Sequence, residues 1–256
     1  MPHFKSEGFS IAYEVYGEGV PVLLIHGFAS TGAVNWRETG WVTALTNQGY
    51  QVITIDNRGH GASEKIYDEA PYDARLMAHD AANLIDHLNL GRVAVMGYSM
   101  GGRISTFLAV DAPEKVAALI IGGMGARLLR PRRNSDEIRT ALLAPSLDVV
   151  SGEVGRQFRR FAERTESDLR ALAACVAGPS SQLSEADFAG LDMPVLIAVG
   201  SDDDIAGSPD ELARLIPKGE AFVIPGRDHM RATGDPAYKT AVKTFLGRHY
   251  PPGGVV

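Results

Sequence analysis

A chain of 256 residues with 45 % hydrophobic and 22 % charged residues lies in the ordinary globular range and is long enough for one substantial domain. Its net charge of −6 argues against a nucleic-acid partner or a stable membrane association, because both need a basic face. A single cysteine, Cys175, excludes an internal disulfide and a thiolate zinc site; in "ALAACVAG" it reads as a small buried apolar residue. The opening "MPHFKSEGF" has no apolar stretch of signal-peptide length, and no run approaches the roughly 18 apolar residues of a membrane span, so the expected location is cytoplasmic.

In chain order, "FSIAYEVYG" comes first and alternates, as an antiparallel edge strand does. The runs "VPVLLIHG", "QVITIDNRG", "RVAVMGYS", "VAALIIGG", "PVLIAVGS" and "EAFVIPG" are continuous instead, the pattern of strands buried on both faces of a parallel sheet. Helical periodicity covers Trp36 to Gln48, Tyr72 to Asn89, Met100 to Ala112, Pro209 to Ile216 and Asp235 to Arg248. The alternation predicts an α/β fold: a mostly parallel, doubly wound sheet of about eight strands, with helices on both faces and right-handed crossovers.

One stretch breaks this rhythm. From Met124 to Leu191 no strand is visible, and "ARLLRPRRNSDEIRTALL" and "GEVGRQFRRFAERTESDLRALAACVAG" read as helical and Arg-rich. A structureless loop of that length does not suit a compact domain, so 124–191 is expected to be a helical lid inserted into a core made of 1–123 and 192–256. An insertion there lies outside the carboxyl ends of the strands, where open α/β sheets bind their ligands. Interspersed acids and arginines argue against a membrane-contacting flap.

Gly97-Tyr98-Ser99-Met100-Gly101 follows a strand and opens a helix, the context that makes GxSxG a nucleophile elbow. A serine held in a strained turn between two close elements needs neighbours without side chains, and the helix N-terminus beneath it favours developing negative charge. Such a serine requires a base, and that base an acceptor. Of seven histidines, His229 in "IPGRDHM" stands after the last strand and before the last helix. His26 and His60, also at strand ends, are its rivals; His3, His79, His87 and His249 read as surface residues. The acceptor is expected after "PVLIAVG", where Asp202, Asp203 and Asp204 are consecutive and the residues alone leave the choice open.

With "HGF" at His26 to Phe28, "DNRGHGAS" at Asp56 to Ser63, "GYSMGG" at Gly97 to Gly102, "GSDDD" at Gly200 to Asp204 and "GRDH" at Gly226 to His229, the chain resembles the α/β-hydrolase fold superfamily over nearly its whole length. Its order Ser, Asp, His and its lid match the serine esterase and lactonase branch. The resemblance implies that Ser99, His229 and Asp203 are catalytic, the aspartate being selected by its distance of three from Gly200. It further implies an oxyanion hole made of the Phe28 and Met100 backbone amides, no metal and no organic cofactor, and a small-molecule ester or related acyl compound as partner. In this family the "DNRGHGAS" stretch is a structural loop, which makes His26 and His60 main-chain hydrogen-bonding residues. A serine at position 99 excludes the branches with an aspartate nucleophile. Carboxylesterases, lactonases, thioesterases, carbon–carbon bond hydrolases and cofactor-free perhydrolases remain, beside ligand receptors with little turnover. Tyr98, Phe158, Arg127 and Arg130 are candidate substrate-binding residues. Arg127, Arg130, Arg132 and Arg133 could hold a substrate carboxylate, although Asp136 and Glu137 following at once favour a solvated face. Leu142, Phe158, Phe161 and Leu172 could line an acyl pocket or pack helix on helix, and the oligomeric state is left open.

Overall fold

Strands β1 (His3–Ser6), β2 (Phe9–Tyr16), β3 (Val20–Ile25), β4 (Tyr50–Ile55), β5 (Val93–Tyr98), β6 (Val116–Gly122), β7 (Val195–Gly200) and β8 (Gly219–Ile224) form one sheet in a computed structural model that describes residues 1–253. Their order is β1-β2-β4-β3-β5-β6-β7-β8. The β1/β2 and β2/β4 pairs are antiparallel and every other pair is parallel. The continuous apolar runs have a simple cause. Along β5, Val93 and Val95 enter one core while Ala94, Met96 and Tyr98 enter the other, so each position meets a covered face.

Helices α2 (Ala74–His87), α3 (Met100–Asp111) and α8 (Pro209–Ala213) cover the first face with Leu84, Phe107 and Leu212. On the opposite face α1 (Trp41–Thr46) and α9 (Pro236–His249) contribute Trp41, Leu45, Tyr238 and Phe245. Between β6 and β7 the chain forms α4 (Ser135–Leu143), α5 (Glu153–Arg164), α6 (Leu169–Ala177) and α7 (Glu185–Ala189), with a third apolar cluster around Ile138, Leu142, Ala162 and Leu172. Arg159 is buried there and donates to the carbonyls of Ala141 (2.8 Å), Leu142 (3.1 Å) and Ala144 (2.8 Å), satisfying the end of α4.

Three expectations about the elements are corrected. "EAFVIPG", expected to be buried on both faces, forms the edge strand β8, whose residues are mostly half-buried and whose Val223 is exposed. The strand "FSIAYEVYG" is not the edge, because β1 pairs with it in the register Phe4 to Ile11. β1 is held by Phe4 in the core and by Ser6, whose hydroxyl donates to Asp80 Oδ1 at 2.5 Å. The helix over Trp36 to Gln48 is divided: a π turn at Ala33–Arg37 is separated from α1 by Gly40, whose φ of 79° lies outside the helical range. Among the described residues no helix is long and apolar enough to cross a membrane.

Candidate active site

β5 ends at Tyr98 and α3 begins at Met100, so Ser99 alone makes the turn, with φ 55° and ψ −115°. A non-glycine residue there carries strain of about 1–3 kcal/mol that the surrounding structure must offset. The Ser99 N–H donates to the Gly122 carbonyl at 2.8 Å. The flanking glycines answer to close approach: a Cβ on Gly97 would stand 2.1 Å from the Gly101 carbonyl oxygen, and one on Gly101 would stand 2.0 Å from that of Ile25.

Ser99 Oγ lies 2.9 Å from His229 Nε2, and His229 Nδ1 lies 2.7 Å from Asp203 Oδ2. The second oxygen, Asp203 Oδ1, accepts the N–H groups of Ile205 (2.9 Å) and Ala206 (3.0 Å). Those donors fix the orientation of the carboxylate. With Nδ1 carrying its proton toward that carboxylate, Nε2 is left to accept from the serine hydroxyl. Asp202 and Asp204 are exposed, and Asp202 accepts from the Ser201 hydroxyl instead. Tyr98 donates its hydroxyl to the His229 carbonyl at 2.5 Å, and burial pushes its phenol up, so it remains a donor. Tyr98 therefore holds the histidine loop in addition to forming part of the cavity wall.

The Phe28 amide lies in the "HGF" loop and the Met100 amide at the start of α3, and among the described residues neither is given an acceptor. The adjacent Gly27 N–H is already taken by Asn35 Oδ1 at 2.9 Å. Such free amides at a helix start suit a developing oxyanion. No group of three or more His, Cys, Asp or Glu side chains is placed to hold a metal ion among the described residues.

Above Ser99 opens a cavity of about 830 Å³, walled by Phe28, Met100 and His229 from the sheet side and by Ile138, Phe158 and Phe161 from the β6–β7 connection. The Phe28 and Phe158 rings meet edge to face at 5.7 Å. Leu142 and Leu172 belong to the packed cluster behind this wall and not to the wall itself. Arg127, Arg132 and Arg133 line the cavity; Arg130 is not part of the wall, and its carbonyl accepts from Arg103 Nη2 at 3.4 Å. Arg103, which the sequence did not single out, lines it as well; the available signal was its place one helical turn after Ser99.

The remaining strand-end histidines are fully buried and bonded to main chain. His26 Nδ1 donates to the Gly27 carbonyl (2.7 Å) while Nε2 accepts from the Asn57 N–H (2.9 Å), and His60 Nδ1 donates to the Arg58 carbonyl (3.0 Å). Burial lowers His26 to about 4 and, aided by His26 nearby, lowers His60 to about 3, so both stay neutral. Arg58 in the same loop forms a buried pair with Asp80, Nε to Oδ2 at 2.7 Å. Cys175 is buried, and desolvation raises its thiol to about 12, as an inert core residue requires.

A pH dependence of stability follows. Above the ordinary histidine value of 6.5 neither state binds these protons, and folding stability is complete. As pH falls from 6.5 toward 4 and then 3, the unfolded chain protonates both rings while the folded chain does not, so stability is lost. By pH 4.5 each ring costs on the order of 2 kcal/mol. Urea midpoints at pH 7 and 4.5 should therefore differ less in His60→Asn, whose amide can replace Nδ1–H, than in the native protein; equal losses in the two would contradict this assignment.

Comparison with known proteins adds an independent line. The family model for the alpha/beta hydrolase fold matches residues 20–171. A non-heme haloperoxidase of Rhodococcus erythropolis is 28 % identical over 257 residues, covering 89 % of this chain and 92 % of that protein. Among solved structures, a thermophilic esterase from Thermogutta terrifontis, malate bound, is 25 % identical with a TM-score of 0.75 over 96 % of this chain and 97 % of its own. The enol-lactonase from Burkholderia xenovorans LB400 shares the fold at 22 % identity, with a TM-score of 0.77 over 96 % of this chain and 99 % of its own.

Proposed function

The chain belongs to the alpha/beta hydrolase fold family, and we propose that within it the protein is a serine hydrolase that cleaves a small to medium carboxylic ester or lactone through an acyl-enzyme. The observation that carries this reading is the continuous hydrogen-bonded line from Ser99 Oγ through His229 to Asp203, opening into a cavity of about 830 Å³. A cavity of this size is within the usual range for small-molecule sites.

In the proposed mechanism Ser99 Oγ attacks the acyl carbon while His229 Nε2 takes its proton, and Asp203 stabilises the resulting imidazolium. The oxyanion is bound by the Phe28 and Met100 amides, each such donor being worth roughly a hundred- to a thousandfold in rate. Collapse expels the alcohol, which leaves with the proton from His229. Water activated by His229 then attacks the acyl-enzyme, releasing the acid and restoring Ser99. Phe28, Phe158 and Phe161 form the apolar wall for the acyl chain, with residues 124–191 acting as the lid over it.

A p-nitrophenyl ester series from acetate to laurate, run on wild type beside Ser99→Ala, tests this function. Hydrolysis that depends on Ser99 and peaks at one acyl length is expected. Failure of the folded protein on every ester and on simple lactones would overturn it. The name of the Rhodococcus relative favours one second reading on the same residues. Hydrogen peroxide in place of water would attack the acyl-enzyme, giving a peracid and free Ser99. Ser99-dependent peracid formation from a carboxylic acid and hydrogen peroxide, exceeding ester hydrolysis, would select it.

A further inference from the structure

Among the described residues three arginines are buried, and two of them are paired with a carboxylate. Arg58 pairs with Asp80, and Arg159 pairs with Glu163 at 2.7 Å besides the three carbonyls it caps. Arg103 is the exception. It is 5 % exposed, and its Nη2 reaches only the Arg130 carbonyl, at 3.4 Å. Its Nη1 is buried with no acceptor, and no carboxylate lies within 4 Å of it among the described residues. Asp73, the acid whose field reaches it, is occupied elsewhere: Oδ1 accepts the Arg75 N–H, and Oδ2 accepts both the N–H and the hydroxyl of Ser181.

Arg103 also forms part of the wall of the cavity above Ser99. Burial, with Arg132 and Arg127 nearby, lowers its guanidinium to about 10, which leaves it charged at neutral pH. Arg127, Arg132, Arg133 and Arg164 line the same cavity, and none of them is ion-paired to a carboxylate among the described residues. Leaving a buried cation unpaired costs several kcal/mol, whereas an anion in bidentate contact offsets that cost.

We propose that Arg103 is a substrate-binding residue that holds a carboxylate on the acyl part of the substrate, so that half-esters of dicarboxylic acids are preferred over neutral esters; this rests on the serine hydrolase reading given above. The acyl part is favoured over the alcohol by the placement of the two residues. Ser99 and Arg103 are one turn apart, with the Arg103 N–H donating to the Ser99 carbonyl at 3.2 Å. Side chains on a helix lean toward its N-terminus, which directs Arg103 back toward the serine turn. The acyl group takes part in both chemical steps, becoming bonded to Ser99 Oγ in the first and released from it by water in the second, so an anchor fixed to the same helix serves both, while the alcohol departs after the first.

The test compares kcat/KM for mono-p-nitrophenyl adipate and p-nitrophenyl hexanoate, two esters of equal acyl length, in wild type, Arg103→Met and Arg103→Lys. Wild type should favour the adipate ester at least tenfold. That ratio should fall at least tenfold in Arg103→Met and be partly kept in Arg103→Lys. Because methionine removes an unpaired buried charge, its Tm should be unchanged or higher. Equal rates on the two esters in wild type, or an unchanged ratio with a lowered Tm in Arg103→Met, would overturn the proposal and leave Arg103 as a tie to the Arg130 loop. If neither ester is turned over, the hydrolase reading fails separately, and calorimetric binding of adipate decides for Arg103. Binding at least tenfold weaker in Arg103→Met supports it; equal or absent binding in the two proteins overturns it.

Discussion

Ser99→Ala is expected to lower turnover on the best ester by about 10⁴- to 10⁶-fold, and His229→Ala by a similar factor. The equality follows from the geometry. Ser99 Oγ and His229 Nε2 are joined by a single hydrogen bond of 2.9 Å, so removing either end abolishes one proton transfer on which both chemical steps depend. Such a loss amounts to about 5–8 kcal/mol of transition-state stabilisation. What survives would come from the proposed oxyanion donors, main-chain amides of Phe28 and Met100 that neither substitution removes. The double variant should accordingly be no slower than either single one. A His229→Ala protein that keeps a tenth of wild-type turnover would remove the histidine from the proposed mechanism.

Asp203→Asn should lower turnover by about 10⁴-fold while leaving the fold intact. The asparagine introduced by this change can still accept the Ile205 and Ala206 amides through its carbonyl oxygen, so the loop keeps its shape. Its amide group, however, would donate to His229 Nδ1 and force the imidazole proton onto Nε2. A ring that points N–H at Ser99 cannot take the serine proton. The same change at Asp202, which bonds the Ser201 hydroxyl and faces solvent, should alter turnover by no more than about twofold, as surface changes away from a site do. Kinetics of the two variants side by side check this, and an equal collapse in Asp202→Asn would contradict the geometry.

These two adjacent aspartates also mark where the sequence stops being legible. Three consecutive carboxylates after β7 are equivalent on composition. The family's spacing from Gly200 picks Asp203, but the physical reason lies in the turn that aims it at His229 and offers it the amides of Ile205 and Ala206, a property of backbone direction that composition does not encode. The inner parallel strands are plain because burial on both faces leaves few polar positions to confuse the reading, whereas β8, at the edge, is only half-buried. β1 is not plain: only four residues long, it is stabilised by Phe4 and by a bond from Ser6 to Asp80, 74 positions away. The split of the first predicted helix turned on a single residue, Gly40.

The arginines show the same limit. Arg127, Arg130, Arg132 and Arg133 are close in sequence, yet the fold brings Arg127, Arg132 and Arg133 to the cavity wall and leaves Arg130 off it. Arg103 reads as an ordinary position within a helix until the β6–β7 connection covers it. Only then does an unpaired charge become visible beside the serine. Phe158 and Leu142, likewise, sit on similar helical stripes, and which of them faces the cavity depends on how α4 and α5 cross.

The most direct measurement of the central claim is active-site labelling. A fluorophosphonate, which phosphonylates an activated serine with loss of fluoride, is incubated with the purified protein, and the site is located by peptide mass spectrometry. A single adduct on the peptide carrying Ser99, lost in His229→Ala, is the result expected. No adduct on the folded protein, or an adduct on another residue with Ser99 unmodified, would contradict Ser99 as the nucleophile.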